Sequence, residues 1–398
     1  MQNATRNRIV VMKLHRNLVH AVAQAITQIT EEANHAETVV ENLLASNKKW
    51  GARDRHFIAE NIYEIIRHQL LLRHCANSSN PFHLLAARYT LQGLEIPDWA
   101  EFKDFTFSPP CADLPYKITY SIPDWLNEFG IDQLGEKNWQ QEMQAMHTTA
   151  KTCLRINTLK ATAANASKQL EAEGIAFTAS DNFLILNDKR NIQNTIAYKS
   201  GWVEIQDGNS QKIAPLLQVK PKEIVIDACA GAGGKTLQLA AEMKNEGHIF
   251  ALDVFEKKLQ ELNRRAQRAG AKNISTLVAN QATLNQLKNK ADKLLLDVPC
   301  SGSGVFRRKP DSKFKLSPQR MQELQNLQWQ ILSTYHTMLK SGGTMLYATC
   351  SIFPSENNFQ VQGFLNEYGT QFCLEKEYFL SPAETGLDGF YAAVLTKK

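Results

Sequence analysis

The sequence has no long apolar segment, since no part of it approaches 18 consecutive hydrophobic residues. A helix that crosses a membrane needs roughly 20 such residues, so we expect no membrane span. The chain also has few cysteines, seven in 398 residues, and they are odd in number and widely scattered. This pattern does not indicate a disulfide framework, and we therefore expect a protein of the reducing cytoplasm.

Metal-ligand spacing and a phosphate-binding loop are also missing. The ten histidines are scattered without ligand spacing, so no metal site is predicted. The glycine-rich turn at Gly231 to Gly234 is too short for the P-loop pattern, which argues against phosphate cradling. There is no internal repeat or low-complexity tract, and the net charge of +5 is a mild basic excess. Such a charge permits a nucleic-acid partner without arguing for one.

The length and the alternation of segments predict the fold class. A chain of 398 residues, 43% hydrophobic and 21% charged, has the composition of a soluble protein with two or three domains. From about Lys222 onward, short apolar segments alternate with helical ones. We predict strands at 224–227, 248–252, 274–279, 293–297, 343–348, 371–375 and 390–395, and helices near 236–244, 255–269, 317–339 and 355–367. This alternation predicts an α/β doubly wound sheet covered on both faces.

The N-terminal part shows a helical pattern without the alternating strands. Residues 1–95 are predicted to be helical, with an apolar stripe at helical spacing formed by Ile58, Ile62, Ile65, Ile66 and Leu70. Basic residues without an acid precede it at Arg6, Arg8, Lys13 and Arg16, which indicates either an organellar presequence or, as we favour, an amphipathic first helix. A proline-rich connector follows at 96–124, and residues 151–196 show a β-α-β pattern.

Two cysteines follow neighbouring strands of the predicted sheet. Cys300 comes just after the strand at 293–297, and Cys350 just after the strand at 343–348. In an open parallel sheet the ligand crevice lies outside the carboxyl ends of the strands, and Asp297 belongs to the same edge. A lone thiol there would be an ordinary buried residue. A pair flanked by proline and glycine, beside a glycine-rich turn, instead predicts a site.

The glycine-rich turn indicates a nucleotide-like ligand. A strand ends at Asp227, a helix begins near Thr236, and the turn between them holds Cys229, Ala230, Gly231, Ala232, Gly233, Gly234 and Lys235. Glycines let the backbone approach a ligand closely. The next strand ends at Asp253, about 20 residues further on, where a carboxylate suits a ribose diol.

A basic segment follows the first cysteine. Between Gly302 and Arg320 the only acid is Asp311, against the cations Arg307, Arg308, Lys309, Lys313, Lys315 and Arg320. With Phe306 and Phe314 interleaved, the segment suits a groove that follows an RNA backbone and stacks bases. The alternative is a solvated loop.

Four motifs resemble those of a known family: DACAGAGGKT, ALD, LLLDVPCSGSGVFRRKPD and YATCSIFPSEN. They resemble the RsmB/Nop/Sun family of S-adenosylmethionine-dependent RNA (cytosine-C5)-methyltransferases, and its bacterial 16S ribosomal-RNA members in particular. The resemblance implies a NusB-like helical domain and connector over 1–122, a small α+β pre-catalytic RNA-binding module over 123–200, and a Rossmann-like class I methyltransferase domain over 201–398. It also implies that the last two strands form a reversed hairpin.

The resemblance assigns roles to the site residues. Cys350 would be the nucleophile, Cys300 would assist product release, and Asp297 would border both the cytosine and the cofactor. DNA cytosine methyltransferases use the cysteine of the PC motif as nucleophile, so the residues alone leave open which thiol attacks. The S-adenosyl-L-methionine site would comprise Cys229, Ala230, Gly231, Ala232, Gly233, Gly234, Lys235, Asp253, Asn280 and Asp297.

The sequence leaves the roles of some residues open. Asn280 stands where the family usually has an aspartate that contacts adenine, so its role is in doubt. Lys235 would orient either the cofactor or the cytosine. Arg155 and Asn157 either contact RNA or are structural, while the segment with Gln206, Asp207 and Ser210 resembles one packed against the active site.

The sequence therefore predicts an enzyme that methylates C5 of a cytosine in ribosomal RNA through a covalent Cys–C6 adduct. We expect S-adenosylmethionine as cofactor, RNA as partner, no membrane partner, and a cytoplasmic monomer. The alternatives are the same chemistry on transfer RNA and a non-catalytic RNA-binding ribosome assembly factor. A DNA methyltransferase is a weaker rival. Retention of Cys300, Cys350 and Asp297 together argues against the assembly factor.

Overall fold

The computed structural model describes residues 14–180, 183–188 and 190–398. Arg6, Arg8 and Lys13 of the predicted first helix lie outside these residues. The described chain divides into two compact units, one made of residues 14–147 with Phe306–Ser317, and the other of 148–305 with Pro318–Lys398. No helix among the described residues is long and apolar enough to cross a membrane.

The first unit is helical. Its helices up to residue 147 are α1 Arg16–Thr30, α2 Ala36–Ser46, α3 Ala52–Arg67, α4 Gln69–Ala76, α5 Pro81–Leu91, α6 Tyr116–Thr119, α7 Asp124–Leu134 and α8 Glu136–Met146. The predicted apolar stripe of α3 is buried at Ile58, Ile62, Ile65 and Ile66 and packs into one core with α1 and α5. Leu70 belongs to α4 instead, because α3 ends at Arg67.

The basic segment does not form the exposed groove that its charges predicted. Residues Phe306–Ser317 belong to the helical unit, and the side chains of Arg307 and Lys313 are only 3% and 5% exposed. Nζ of Lys313 donates hydrogen bonds to the carbonyl oxygens of Arg67 (3.3 Å) and Tyr120 (3.0 Å). Burial, together with the charge of Arg67, lowers the pKa of Lys313 to about 7. Its donors are therefore used inside the protein.

The acid of this segment is buried as well. Oδ2 of Asp311 accepts hydrogen bonds from the backbone N–H of Ala36 (3.1 Å) and from Nζ of Lys315 (2.7 Å). Lys309 is exposed, but its Nζ lies 2.9 Å from a carboxylate oxygen of Glu37. The charges of the segment thus hold it against α2, α3 and the end of α6.

The second unit begins with a small antiparallel sheet of strand order β2-β3-β1-β4. Its elements are β1 Cys153–Ile156, α9 Ala163–Ala172, β2 Phe177–Ser180, β3 Phe183–Leu186, α10 Ile196–Lys199 and β4 Val203–Ile205. Arg155 and Asn157 are structural here and do not face solvent, since they are 5% and 2% exposed. Nε of Arg155 donates to Oε1 of Gln206 at 2.7 Å, and Nδ2 of Asn157 donates to the carbonyl oxygens of Gly201 and Ala269.

The predicted doubly wound sheet is confirmed. The remaining elements are α11 Gly208–Ile213, β5 Ile224–Asp227, α12 Gly234–Glu242, β6 His248–Asp253, α13 Glu256–Ala269, β7 Ile274–Val278, α14 Gln281–Leu287, β8 Ala291–Asp297, α15 Ser312–Lys315, α16 Pro318–Tyr335, β9 Leu339–Thr349, α17 Asn358–Tyr368, β10 Phe372–Leu380, α18 Pro382–Thr385 and β11 Phe390–Lys397. The strand order in this fully described region is β10-β11-β9-β8-β5-β6-β7. As expected, β10 and β11 form an antiparallel hairpin, and β5 to β9 are parallel.

Two apolar layers cover this sheet. Leu294 and Leu296 of β8 point into one cluster, while Leu295 between them points into the other, because successive strand residues face opposite sides. Each buried leucine contributes roughly 2 kcal/mol, so the strands are held firmly on both faces. This fixes where the chain emerges at the carboxyl ends of β8 and β9.

The domain boundaries remain a prediction. The helical unit extends to His147 and includes α7 and α8, whereas the sequence placed residues from 123 onward in the RNA-binding module. Helices α7 and α8, at 124–146, therefore lie in the helical unit in the structure.

Candidate active site

The two predicted cysteines lie together. Strands β8 and β9 pair in parallel with Asp297 opposite Ala348, so their carboxyl ends reach the same edge of the sheet. The Sγ atoms of Cys300 and Cys350 are 3.3 Å apart, and each side chain is partly exposed. The backbone N–H of Gly304 donates to the carbonyl oxygen of Cys350 at 2.9 Å, which joins the two turns. Both thiols can therefore act on one bound group.

The surroundings of Cys300 hold its thiol in the protonated form. The pKa of Cys300 is raised well above its usual value by its hydrogen bond to Cys350, by burial, and by the negative charges of Cys350 and Glu356. Cys300 therefore retains a proton that it can donate toward Cys350. A thiolate is the reactive form of a cysteine, so the raised pKa disfavours Cys300 as an attacking group at neutral pH.

Asp297 and Lys235 form an ion pair beside the thiols. Nζ of Lys235 lies 2.7 Å from Oδ2 of Asp297 and 5.1 Å from the centre of the Phe390 ring. Burial opposes the ammonium form, but Asp297, Cys350 and Asp227 outweigh it, so the pKa of Lys235 is raised. Lys235 therefore keeps its ammonium form beside Asp297, at the edge of the sheet where the two thiols lie.

The glycine-rich turn has room for a ligand. Gly231 and Gly233 have φ angles of +54° and +88°, in the region that glycine tolerates best. A Cβ atom at Gly233 would meet Cγ of Leu262 at 2.6 Å, whereas Cβ atoms at Gly231 or Gly234 would meet nothing within 4 Å. Gly233 therefore lets the turn pack on α13, while Gly231 and Gly234 leave open space beside the backbone.

Asp253 joins this turn to the next strand. Its Oδ2 accepts a hydrogen bond from the backbone N–H of Gly231 at 3.0 Å, and its Oδ1 accepts one from Phe255 at 2.8 Å. The carboxylate is thus held at the rim of the turn. The neighbouring Val254 and Phe255 are 61% and 60% exposed, an unusual extent for apolar side chains. This rim suits a flat, partly polar group such as a nucleoside.

Asn280 has a structural role in the fold. It precedes α14, and its Oδ1 accepts hydrogen bonds from the backbone N–H (3.0 Å) and Oγ1 (3.2 Å) of Thr283. It is the helix cap that asparagine commonly provides. The side chain is exposed, so its amide group still faces solvent at the end of β7.

Asp227 was not predicted as a site residue. Its carboxyl is buried, Oδ2 accepts a hydrogen bond from Oγ1 of Thr236 at 2.7 Å, and Oδ1 has no partner among the described residues. Burial, with a smaller effect from the charge of Asp297, raises its pKa to about 7. Its position at the end of β5, before the glycines, was the only signal in the sequence. The described residues contain no cluster of His, Cys, Asp or Glu arranged to hold a metal.

The fold and this site define the class of protein: a Rossmann-like, S-adenosylmethionine-dependent methyltransferase. Residues 214–396 match the family described as 16S rRNA methyltransferase RsmB/F, and residues 122–193 match the ferredoxin-like domain of RsmF/B-like methyltransferases. The chain belongs to the RsmB/F methyltransferase family, as the resemblance of its motifs predicted.

Individual relatives support this assignment. The probable ribosomal RNA small subunit methyltransferase B of Bacillus subtilis is 32% identical over 300 residues, which cover 70% of this chain and 67% of that protein. Ribosomal RNA small subunit methyltransferase B of an Escherichia coli strain is 27% identical over 438 residues, covering 97% of this chain and 100% of that protein. The solved structure of the protein PH0851 has a TM-score of 0.84 and 23% identity, covering 97% and 100% of the two chains, and supports the fold.

Proposed function

We propose that the protein methylates C5 of a cytosine in ribosomal RNA and that Cys350 forms a transient bond to C6 of the ring. The observation that carries the proposal is the 3.3 Å separation of two thiols at the ends of adjacent strands. The names of the relatives, ribosomal RNA small subunit methyltransferases, support the choice of RNA.

The chemistry requires a nucleophile because cytosine C5 does not react with an electrophile readily by itself. Addition of the Cys350 thiolate to C6 gives an enamine, whose C5 is electron-rich, and this splits one hard step into easier ones. The ammonium of Lys235, paired with Asp297, supplies positive potential for the thiolate. Asp297 also lies where its partly exposed carboxylate can accept a hydrogen bond from the cytosine amino group.

Release reverses the addition. Once C5 carries the new methyl group, its proton passes to a water molecule, the electron pair of that C–H bond becomes the C5–C6 double bond, and the bond between C6 and the sulfur of Cys350 breaks. The electron pair of the C6–S bond returns to that sulfur. Cys300 retains its proton 3.3 Å away and can donate it to the departing thiolate. This gives the two cysteines different roles from one geometry.

The residues around the glycine-rich turn fit the cofactor. The turn from Cys229 to Lys235, with Asp253, Asn280 and Asp297, would hold S-adenosylmethionine, because the open space at Gly231 and Gly234 lies beside the fixed carboxylate of Asp253. When bound, the cofactor supplies an electrophilic methyl group on a sulfonium. The exposed apolar pair Val254–Phe255 would cover its purine.

A denaturing gel tests the proposal. The Cys300→Ala and Cys350→Ala proteins are mixed with total RNA and S-adenosylmethionine, and Cys373→Ala serves as a control because Cys373 is exposed on β10. We expect Cys300→Ala to retain RNA covalently and Cys350→Ala to retain none, while the control behaves as the wild type. A trap seen only with Cys350→Ala would reverse the two roles.

Tritiated-methyl transfer to ribosomal RNA, transfer RNA and DNA then identifies the substrate. We expect label in ribosomal RNA, lost on substitution of Cys350. Label in transfer RNA or DNA alone would change the substrate while retaining the chemistry. If the wild type labels no nucleic acid and binds no cofactor by calorimetry, the non-catalytic assembly factor is the better explanation.

A further inference from the structure

Glu356 is a fully buried carboxyl group close to the thiols. It ends the short helical turn Pro354–Glu356 that follows β9, and none of its surface is exposed. No lysine or arginine among the residues that the structure describes forms an ion pair with it. A buried carboxylate without a cation is costly unless several donors hold it.

Four hydrogen bonds supply that compensation. The carboxylate of Glu356 accepts from the backbone N–H of Ser301 (2.8 Å), from Oγ of Ser301, from Oγ of Ser351, and from Nε2 of Gln328 (2.9 Å). Ser301 directly follows Cys300, and Ser351 directly follows Cys350. One carboxylate therefore holds the residue next to each of the two cysteines.

Further contacts complete the connection between the turns. Nε2 of Gln328 also donates to the carbonyl oxygen of Pro299 at 2.9 Å, on the other side of Cys300. Oγ of Ser303 lies 3.0 Å from Oγ of Ser351. The backbone of Glu356 is itself fixed, since the Tyr347 hydroxyl donates to its carbonyl oxygen at 2.7 Å. The side chains of Glu356, Ser301, Ser351 and Gln328 are all buried, so a change in the carboxylate should reach both turns.

The charge of Glu356 also acts on the thiol of Cys300. The titratable groups that act on Cys300 or respond to it are Cys350 on the neighbouring turn, Glu356, and Tyr347 on β9. After the hydrogen bond to Cys350 and burial, the negative charges of Cys350 and Glu356 also raise the pKa of Cys300. A fixed negative charge disfavours a second one nearby.

We propose that Glu356 is a positioning residue whose buried side chain braces the turns of Cys300 and Cys350 against each other. The catalytic part of this inference rests on the proposed function. The bracing rests on the hydrogen bonds and the effect on the Cys300 thiol on the nearby carboxylate charge, so both can be tested without any methyl transfer.

The first test follows alkylation of the full chain by iodoacetamide against pH, with labelling of Cys300 and Cys350 resolved by peptide mass spectrometry. In Glu356→Gln the midpoint of Cys300 alkylation should shift to lower pH, because the nearby negative charge is removed. The matched control is Glu375→Gln, an exposed carboxyl on β10, which should leave the midpoint unchanged. A folded Glu356→Gln protein with the wild-type midpoint would overturn the inference.

A second pair of variants separates position from charge and applies even if Glu356→Gln does not fold. Ser301→Ala and Ser351→Ala keep the carboxylate and each remove a hydroxyl donor. In the double variant kcat should fall at least about tenfold while the dissociation constant of S-adenosylmethionine stays unchanged. A wild-type kcat there would remove the bracing role. If the wild type itself transfers no methyl group, the proposed function fails and the alkylation midpoints still decide the inference.

Discussion

Two adjacent stretches of the chain, 300–305 and Phe306–Ser317, were both predicted from the sequence to be functional. Their environments in the structure differ. The first stretch holds a partly exposed thiol 3.3 Å from its partner. The second holds buried Lys313, Arg307 and Asp311, packed in the helical unit. A residue at the end of a parallel strand is placed by the backbone, whereas a lysine can direct its charge into a protein as easily as toward a nucleic acid.

The largest effect on activity should come from breaking the ion pair between Lys235 and Asp297, beside the thiols. We expect Lys235→Met to lower kcat/KM by about 100-fold or more, about 3 kcal/mol, because Asp297 loses its partner and Cys350 its nearby cation. Lys258→Met is the control, since its Nζ lies 3.9 Å from Asp253 and is half exposed. Steady-state kinetics should show less than about a threefold change for the control. Equal losses in both would mean that the ion pair has no special role.

The next effect lies in the basic segment and concerns stability. Asp311→Ala leaves the buried N–H of Ala36 without an acceptor and removes one partner of Lys315. We expect the free energy of unfolding to fall by about 2 to 3 kcal/mol, measured by urea denaturation. A change below about 0.5 kcal/mol would show that the segment is not anchored there.

A pH effect should follow from His147, whose Nε2 lies 2.8 Å from Nδ1 of His68. Burial, followed by the charges of His68, Lys313 and Arg67, lowers the pKa of His147 to about 2, far below its value in the unfolded chain. The unfolded chain therefore binds a proton that the folded one does not, so this contribution is present above pH 6.5 and is lost as pH falls. Between pH 6 and pH 5 the free energy of unfolding should fall by about 1 kcal/mol from this group.

The control for that pH effect is His147→Gln, which keeps a polar group opposite His68 and does not titrate. Denaturation of both proteins at several pH values gives the difference in slope. Parallel slopes would mean that His147 is already protonated in the folded protein.

The smallest effect should come from Lys309→Ala. Its pair with Glu37 joins two side chains that are 58% and 59% exposed, so the free energy of unfolding should change by less than about 0.5 kcal/mol. The affinity for RNA and its dependence on salt should also stay unchanged. A flatter salt dependence would show that Lys309 contacts a phosphate and would restore the original interpretation of the segment.

The sheet and the thiol pair were predictable because strand ends, glycines and the spacing of Asp227, Asp253, Asp297 and Cys300 follow from local pattern. The structure confirmed the alternation and the final hairpin. The local sequence pattern does not predict the hydrogen-bond partners of a polar side chain. Asn157 reaches Ala269, 112 residues away, and the four donors of Glu356 come from three separate segments. Such contacts depend on tertiary packing, so the sequence alone left Arg155 and Asn157 open and did not draw attention to Glu356.

The route of the chain through Phe306–Ser317 has a practical consequence for anyone who divides this protein into fragments. A fragment beginning at Thr148 would contain that segment without its partners. The carboxyl of Asp311 would lose the N–H of Ala36, and the ammonium of Lys313 would lose the carbonyl oxygens of Arg67 and Tyr120. A fragment ending at His147 would leave those same backbone groups uncovered. A chimaera between relatives should therefore move residues 306–317 together with the N-terminal helices.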